Sequence, residues 1–382
     1  MDLHTILNTA VKENASDVHL KAGLPPIMRV YGNLVPIKNY NRLTPTDLLN
    51  VAMRFMTDAQ KETYKSTHQL DLAYSVPGLG RFRVNVFQQR GATGMSLRVI
   101  PIVIQSFEEL HLPKILEKLS MDQRGLIIVT GITGSGKSTT MASMVDYINN
   151  NRTCHIIAIE DPIEFLHKDK KCIINQREIG VDARSFAESL RAALRQDPDV
   201  IMVGEMRDLE TTEIALTAAE TGHLVLSTLH TIDAAETINR IVAIFPPYQQ
   251  KQIRIQLAGV LSGIVSQRLM PTKDGKGRVP AVEVMISTSR IRECIEDKDK
   301  TKDITDAIYK GHSTYEMQTF DQSLMDLLNR DYISLDESLR QATNPDDFSL
   351  KLKGVTSDSD MGWKEFSKQN NEENESEEED WK

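Results

Sequence analysis

The sequence predicts two unlike domains, an α+β unit followed by an α/β unit that turns mainly helical toward its end. Three observations carry that expectation. The first 100 residues contain alternating apolar and polar runs broken by glycine turns. A glycine-rich segment, Gly131-Ile132-Thr133-Gly134-Ser135-Gly136-Lys137-Ser138-Thr139, stands between a short apolar run and a helical pattern. From about Leu116 strand and helix patterns alternate, and after Pro280 helical spacing dominates.

Taken in order, Leu3, Ile6, Leu7, Ala10 and Val11 recur on one helical face. Ile27 to Tyr31 and Leu34 to Ile37 flank Gly32-Asn33, a hairpin signal. Thr44-Pro45 supplies a capping residue followed by proline, which opens a second helix. Leu70, Leu72, Tyr74 and Val76 alternate with polar or small residues before the turn Pro77-Gly78-Leu79-Gly80. Phe82, Val84 and Val86 alternate with Arg81, Arg83 and Asn85, and a turn from Gly91 to Gly94 leads to Met95, Leu97 and Val99. The expectation is an antiparallel meander with helices on one face, over residues 1–100. Residues 101–113 read as a linker and 114–355 as the second domain. Its predicted strands are Leu126–Thr130, His155–Ile159, Val200–Val203 and Leu224–Thr228, joined by crossover helices in a parallel sheet.

Composition narrows the class. The chain has 382 residues, 40% hydrophobic and 26% charged, a globular balance. No apolar run approaches the ~18 residues of a membrane span, and the N-terminus lacks a secretory leader, so a cytoplasmic location is expected. Cys154, Cys172 and Cys294 are widely spaced in sequence, with no C-x-x-C pair, so neither a zinc site nor a disulfide framework is expected. The net charge is −9, and residues 356–382 hold ten acids and three lysines, net −7. The other 355 residues therefore carry −2, and the tail reads as disordered. A near-neutral body offers no clustered basic surface for nucleic acid.

The glycine-rich segment fits G-x-x-x-x-G-K-[ST] without mismatch. Its glycines let successive N–H groups turn toward an anion, and the helix behind adds positive potential. Thr133, Gly134, Ser135, Gly136, Lys137, Ser138 and Thr139 are therefore the candidate nucleotide-binding residues, with Lys137 for the β- and γ-phosphates and Ser138 for Mg²⁺. Phosphoryl transfer needs further groups at the carboxyl ends of neighbouring strands. Ile156 to Ile159 delivers Glu160-Asp161-Pro162, and Val200 to Val203 delivers Gly204-Glu205. Glu160 and Asp161 both emerge at the strand end, one of them to polarise the attacking water, and Glu205 is the acid available for Mg²⁺ or water. The expectation is that Glu160 and Glu205 share these roles, in an order the sequence leaves open. His230 follows the strand Leu224–Thr228 and is placed to sense the γ-phosphate, whereas His223 precedes that strand. Arg81 and Arg83 share the polar face of a strand, with Arg90 and Arg98 nearby, as a solvated face or as phosphate contacts. Arg191 and Arg195 read as surface pairing on a helix.

Together these segments resemble the PilT/PilU group of secretion-type ATPases, the type IV pilus retraction motors. The resemblance runs from Ala15-Ser16-Asp17-Val18-His19-Leu20 to Met317-Gln318-Thr319-Phe320-Asp321-Gln322. Glu160 to Glu164 is similar to the family's Asp box, Gly204-Glu205 to its atypical Walker B, and Thr221 to His230 to its His box. Met202 to Thr211 resembles the PilT branch, while Ser289-Arg290-Ile291-Arg292-Glu293-Cys294-Ile295-Glu296 departs from the usual retraction signature. The resemblance implies a PAS-like N-terminal domain and a RecA-like P-loop NTPase domain. It implies a homohexamer that hydrolyses ATP with Mg²⁺ where the two domains and a neighbouring subunit meet, and Arg81, Arg83 and Arg98 become nucleotide contacts. The implied partners are an inner-membrane platform protein and a paralogous retraction ATPase, at the cytoplasmic side of the pilus machine. The competing expectations are a PilU-like accessory ATPase and an assembly or type II secretion ATPase. Relatives of the latter kind usually carry a four-cysteine zinc module, which three scattered cysteines do not supply.

Overall fold

The computed structural model describes residues 2–30, 32–100, 103–275 and 277–353. The acidic stretch 356–382 lies outside them. The chain divides into two units, Met1–Val103 with Glu164–Leu166, and Ile104–Ile163 with His167–Lys382.

The first unit runs α1 (Leu3–Lys12), β1 (Asp17–Leu20), β2 (Ile27–Val30), β3 (Asn33–Pro36), α2 (Pro45–Phe55), α3 (Asp58–Thr67), β4 (Gln69–Val76), β5 (Gly80–Gln89) and β6 (Ala92–Ile100). Asp2 caps α1, and Thr44 with Asp47 forms a reciprocal capping box on α2. The strands form one antiparallel sheet in the order β3-β2-β1-β6-β5-β4. It is two three-stranded meanders joined by pairing of β1 with β6, rather than a single meander. The strand β1 and the helix α3 were not anticipated. The turn expected at Gly91–Gly94 is tighter: Arg90 and Gly91 take positive φ, and Gly94 already pairs with Phe87. A Cβ at Gly94 would lie 2.9 Å from the Phe87 ring, so glycine is there for a close approach. Phe82, Val84, Val86, Met95 and Leu97 bury one face of the sheet in a core shared with Ile6, Leu7, Leu48 and Val51 of the helices.

The second unit begins with α4 (Ile115–Ser120), β7 (Gly125–Thr130), α5 (Lys137–Asn151), β8 (His155–Glu160), β9 (Ile173–Glu178) and α6 (Phe186–Ala193). It continues with β10 (Val200–Val203), α7 (Leu209–Glu220), β11 (Leu224–Leu229), α8 (Ala234–Ala243) and α9 (Gln250–Val260). The long hairpin β12 (Leu261–Pro271) and β13 (Arg278–Ile286) precedes α10 (Ser289–Glu296), α11 (Ile304–Lys310), α12 (His312–Tyr315), α13 (Phe320–Asn329), α14 (Leu335–Gln341) and α15 (Pro345–Leu352). The sheet order is β13-β12-β7-β11-β10-β8-β9, parallel except for the β12–β13 pair.

All four expected strands are present as β7, β8, β10 and β11. Both faces of this sheet are covered, as a parallel sheet requires. Ile128, Ile157, Ile159, Ile201 and Val225 face one core with α6 to α11, while Ile127, Ile156, Val200, Leu224 and Leu226 face another with α4 and α5. The helical stretch begins at Ser289 rather than at Pro280, because β13 carries Pro280 through to Ile286. Phe107 and Leu112, from the segment read as a linker, are buried in the core of the second unit. Cys154 and Cys172, distant in sequence, come together with their Sγ atoms 3.3 Å apart as free thiols.

Candidate active site

The six parallel strands β7 to β12 end at one edge of the sheet, and four of them, β7, β8, β10 and β11, carry the predicted loop, acids and His230 there. Thr130 closes β7, and the loop to α5 follows. Gly131, Gly134 and Gly136 have φ of 142°, 81° and 96°, conformations that disfavour a side chain. At Gly131 the restriction is double, since a Cβ would lie 2.4 Å from Ser135 Oγ and 2.5 Å from the Gln267 carbonyl. The loop delivers Lys137 as the first residue of α5, with Ser138 and Thr139 next in its first turn. Lys137 is 9% exposed, and its Nζ donates to the carbonyls of Gly131 (2.8 Å) and Ile132 (3.0 Å), which holds the ammonium over the loop. Thr130 Oγ1 and Ser135 Oγ are buried without a hydrogen-bond partner among the described residues.

The strand β11 lies next to β7, with Leu229 level with Thr130, so His230 leaves the sheet beside the loop. The strand β10 lies beyond β11 and hands on to Gly204 and Glu205. Two hydroxyls lock these ends together: Ser227 Oγ donates to the Val203 carbonyl at 2.8 Å and Thr228 Oγ1 to the Gly204 carbonyl at 2.6 Å. The result brings His230 Nε2 to 3.5 Å from Glu205 Oε2. On the same oxygen Arg207 Nε sits at 2.6 Å. Glu160 ends β8, one strand further out, where Gln176 Nε2 donates to its Oε1 at 3.0 Å and leaves it 8% exposed. A strand spacing of about 4.8 Å puts β10 roughly 10 Å and β8 roughly 14 Å from β7. Glu205 is thus the carboxylate whose strand lies closer to the Lys137 loop.

His223 sits at the opposite edge of the sheet, where its Nδ1 lies 2.9 Å from the Ala218 carbonyl, a local structural contact. Arg191 pairs with Glu210, and Arg195 lies beyond the end of α6. In the first unit Arg83 and Arg98 face each other directly across β5 and β6. Such like-charged neighbours repel, and Asp17 relieves it: its Oδ1 is 3.0 Å from Arg98 Nε, and Arg29 approaches its other oxygen at 4.0 Å. Arg81 lies two residues before Arg83 on β5. Arg207, Gln176, Gln267 and Arg29 escaped the sequence reading. Only Arg207, two residues after Glu205, had a local signal.

The donor set fits a triphosphate with magnesium. Among the described residues no three acidic, histidine or cysteine side chains converge as a cage for a metal. Magnesium sites on nucleotides need none, since the ion keeps waters and phosphate oxygens and takes few protein ligands. Ser138, with Glu205 or Glu160, are the residues that would hold it, and the bound ion would neutralise charge on the β- and γ-phosphates.

A parallel sheet that sets a G-x-x-x-x-G-K-S loop against strand-end acids defines a RecA-like P-loop ATPase. Residues 1–345 match the family described as Type II/IV secretion system protein, and the chain belongs to it. The chain is 46% identical over 348 residues to the type IV pilus retraction ATPase PilT of Pseudomonas aeruginosa, covering 91% of this chain and 100% of that protein. It is 41% identical over 361 residues to the type IV pilus ATPase PilU of the same organism, covering 94% of each. The crystal structure of the pilus retraction motor PilT with bound ADP superposes with a TM-score of 0.83 at 48% identity, covering 91% of this chain and 98% of that one. The ATPase DotB of Legionella pneumophila superposes at 0.74 with 30% identity, over 93% and 96% of the two chains.

Proposed function

We propose that this chain is a retraction-type pilus motor, in which ATP hydrolysis at the Lys137 loop drives removal of pilin subunits from a type IV pilus. The observation that carries the reading is a match to PilT over all of that protein's length at 46% identity. In the proposed site, Lys137 and the loop N–H groups hold the β- and γ-phosphates, with Thr133, Gly134, Ser135, Gly136 and Thr139 shaping the cradle. Ser138 and Glu205 hold the ion. Glu160 serves with Glu205 in orienting the attacking water, and His230, against Glu205, responds to the γ-phosphate. Arg81, Arg83 and Arg98 of a PAS-like first domain complete the nucleotide contacts in a homohexameric ring. The ring works against an inner-membrane platform protein, peripheral at the cytoplasmic face, with a paralogous ATPase as a further partner.

Lys137→Ala and Glu205→Ala are expected to lower ATP turnover by at least about a hundredfold while leaving folded protein, with Glu160→Gln losing less than Glu205→Gln. Wild-type turnover by purified Glu205→Ala would remove this carboxylate from the site. Deleting the gene discriminates at the level of the cell: excess fibres with lost surface motility support retraction, and absent fibres support assembly. The similarity to PilU favours a second reading, an accessory ATPase with little turnover of its own. Nucleotide binding without hydrolysis by the isolated chain would select it.

A further inference from the structure

Four adjacent strands place Leu229, Thr130, Ser266 and Glu283 in one row across the sheet. His230 follows the first of these residues and the glycine-rich loop follows the second. Glu283, at the other end of the row, is 3% exposed. Its Oε1 accepts the Ala234 N–H at 2.8 Å, the first residue of α8, and lies 3.4 Å from Ser266 Oγ. The charged groups facing it are Asp233, before α8, and Arg268, on β12. Arg268 is engaged elsewhere: its Nη1 donates to the Gln341 carbonyl at 2.8 Å and its guanidinium covers the Phe320 ring at 3.9 Å.

The chain between His230 and α8 is only Thr231-Ile232-Asp233, and it is bound to the helix that Glu283 anchors. Glu236 Oε2 accepts the Ile232 N–H at 2.9 Å, and the Thr231 and Thr237 hydroxyls meet at 2.6 Å. We propose that Glu283 is a positioning residue for His230: its carboxylate fixes the start of α8, and α8 fixes the loop that holds the imidazole against Glu205. The proposal rests on the reading of Lys137, Glu205 and His230 as the ATP site. A carboxylate accepts an N–H more strongly than a neutral acid or amide does, the more so at a helix N-terminus. Burial first, and then Asp233, push Glu283 up to about 7 against the opposing pull of the Ala234 N–H, Arg268 and Ser266. Positioning therefore strengthens as pH rises through neutrality.

The test compares the full-length wild type with Glu283→Gln, which keeps an acceptor but cannot ionise, and with Lys137→Ala as the site control. Steady-state kcat and KM for ATP are measured from pH 6 to pH 8.5, with thermal unfolding and size-exclusion profiles for each protein. The ratio of variant to wild-type kcat cancels every titrating group the two share. That ratio is expected near 1 at pH 6, falling about five- to tenfold by pH 8, with KM unchanged within about twofold. A ratio constant with pH, or an effect confined to KM, overturns the proposal. Amide exchange of residues 231–236 in the wild type, corrected for intrinsic rates, supplies a second reading that needs no variant. Protection is taken relative to the amides of the core strands β7 and β11, so that the global change in stability cancels. Greater relative protection at pH 8 than at pH 6 supports the positioning role, and equal or lower relative protection overturns it. Wild-type turnover by Lys137→Ala would instead overturn the assignment of the ATP site, whatever Glu283 does.

Discussion

Glu205 shares one oxygen between the Arg207 guanidinium and the His230 imidazole, so a change in either partner redirects its charge. In the proposed site, a carboxylate held this way would be oriented before ATP arrives, which is where electrostatic catalysis gains most. Glu283 is a different case, a buried acid with a stability consequence of its own. Its folded-state pKa is raised from 4.5 to about 7. The folded protein therefore binds more protons than the unfolded chain between those values, and stability falls as pH rises through that window. Glu283→Gln escapes this loss. Relative to wild type it is expected to gain on the order of 3 kcal/mol between pH 4 and pH 8, read as unfolding free energy in denaturant. The same substitution that stabilises is thus expected to slow turnover at pH 8, the usual relation at a site shaped for work rather than for stability.

At the scale of elements, the helix α8 depends on its cap. Asp233 Oδ1 accepts the Glu236 N–H at 2.7 Å, and Asp233→Ala is expected to cost about 1 kcal/mol in denaturant unfolding. Because α8 begins just after the His230 loop, turnover should fall more than this modest loss of stability suggests. The strands β7, β8, β10 and β11 were legible because each is buried on both faces and so reads as an apolar run. Polar residues concealed β9, Ile173-Ile174-Asn175-Gln176-Arg177-Glu178, at the sheet's edge. The strand β12 starts at Leu261, directly after α9 ends at Val260, with no turn residue to mark the change. Pro280 argued against β13, which tolerates proline because it is an edge strand. In the first unit, β1 is too short for alternation to show.

For the molecule as a whole, nucleotide binding should appear as stability. Magnesium–ADP at about a hundredfold over its Kd is expected to add about 2.7 kcal/mol, a rise of roughly 5–10 °C in the unfolding of the second unit. Lys137→Ala should abolish that shift in a thermal scan. How much of the site was legible follows the same logic of distance. Lys137, Glu160, Glu205 and His230 each stand in a local pattern, a strand end or a loop before a helix. Gln267 and Glu283 act across long separations, Gln267 Nε2 donating to Thr140 Oγ1 at 2.8 Å and Glu283 reaching Ala234, so no window of sequence contains both partners.

The row Arg29, Asp17, Arg98, Arg83 crosses four strands of the first sheet with three guanidiniums to a single carboxylate. Such a stripe is an awkward thing to cover. Apolar surface laid over it would strip water from uncompensated cations, and a basic neighbour would be repelled. Whatever settles on that side of the sheet must bring negative charge or leave a layer of solvent behind.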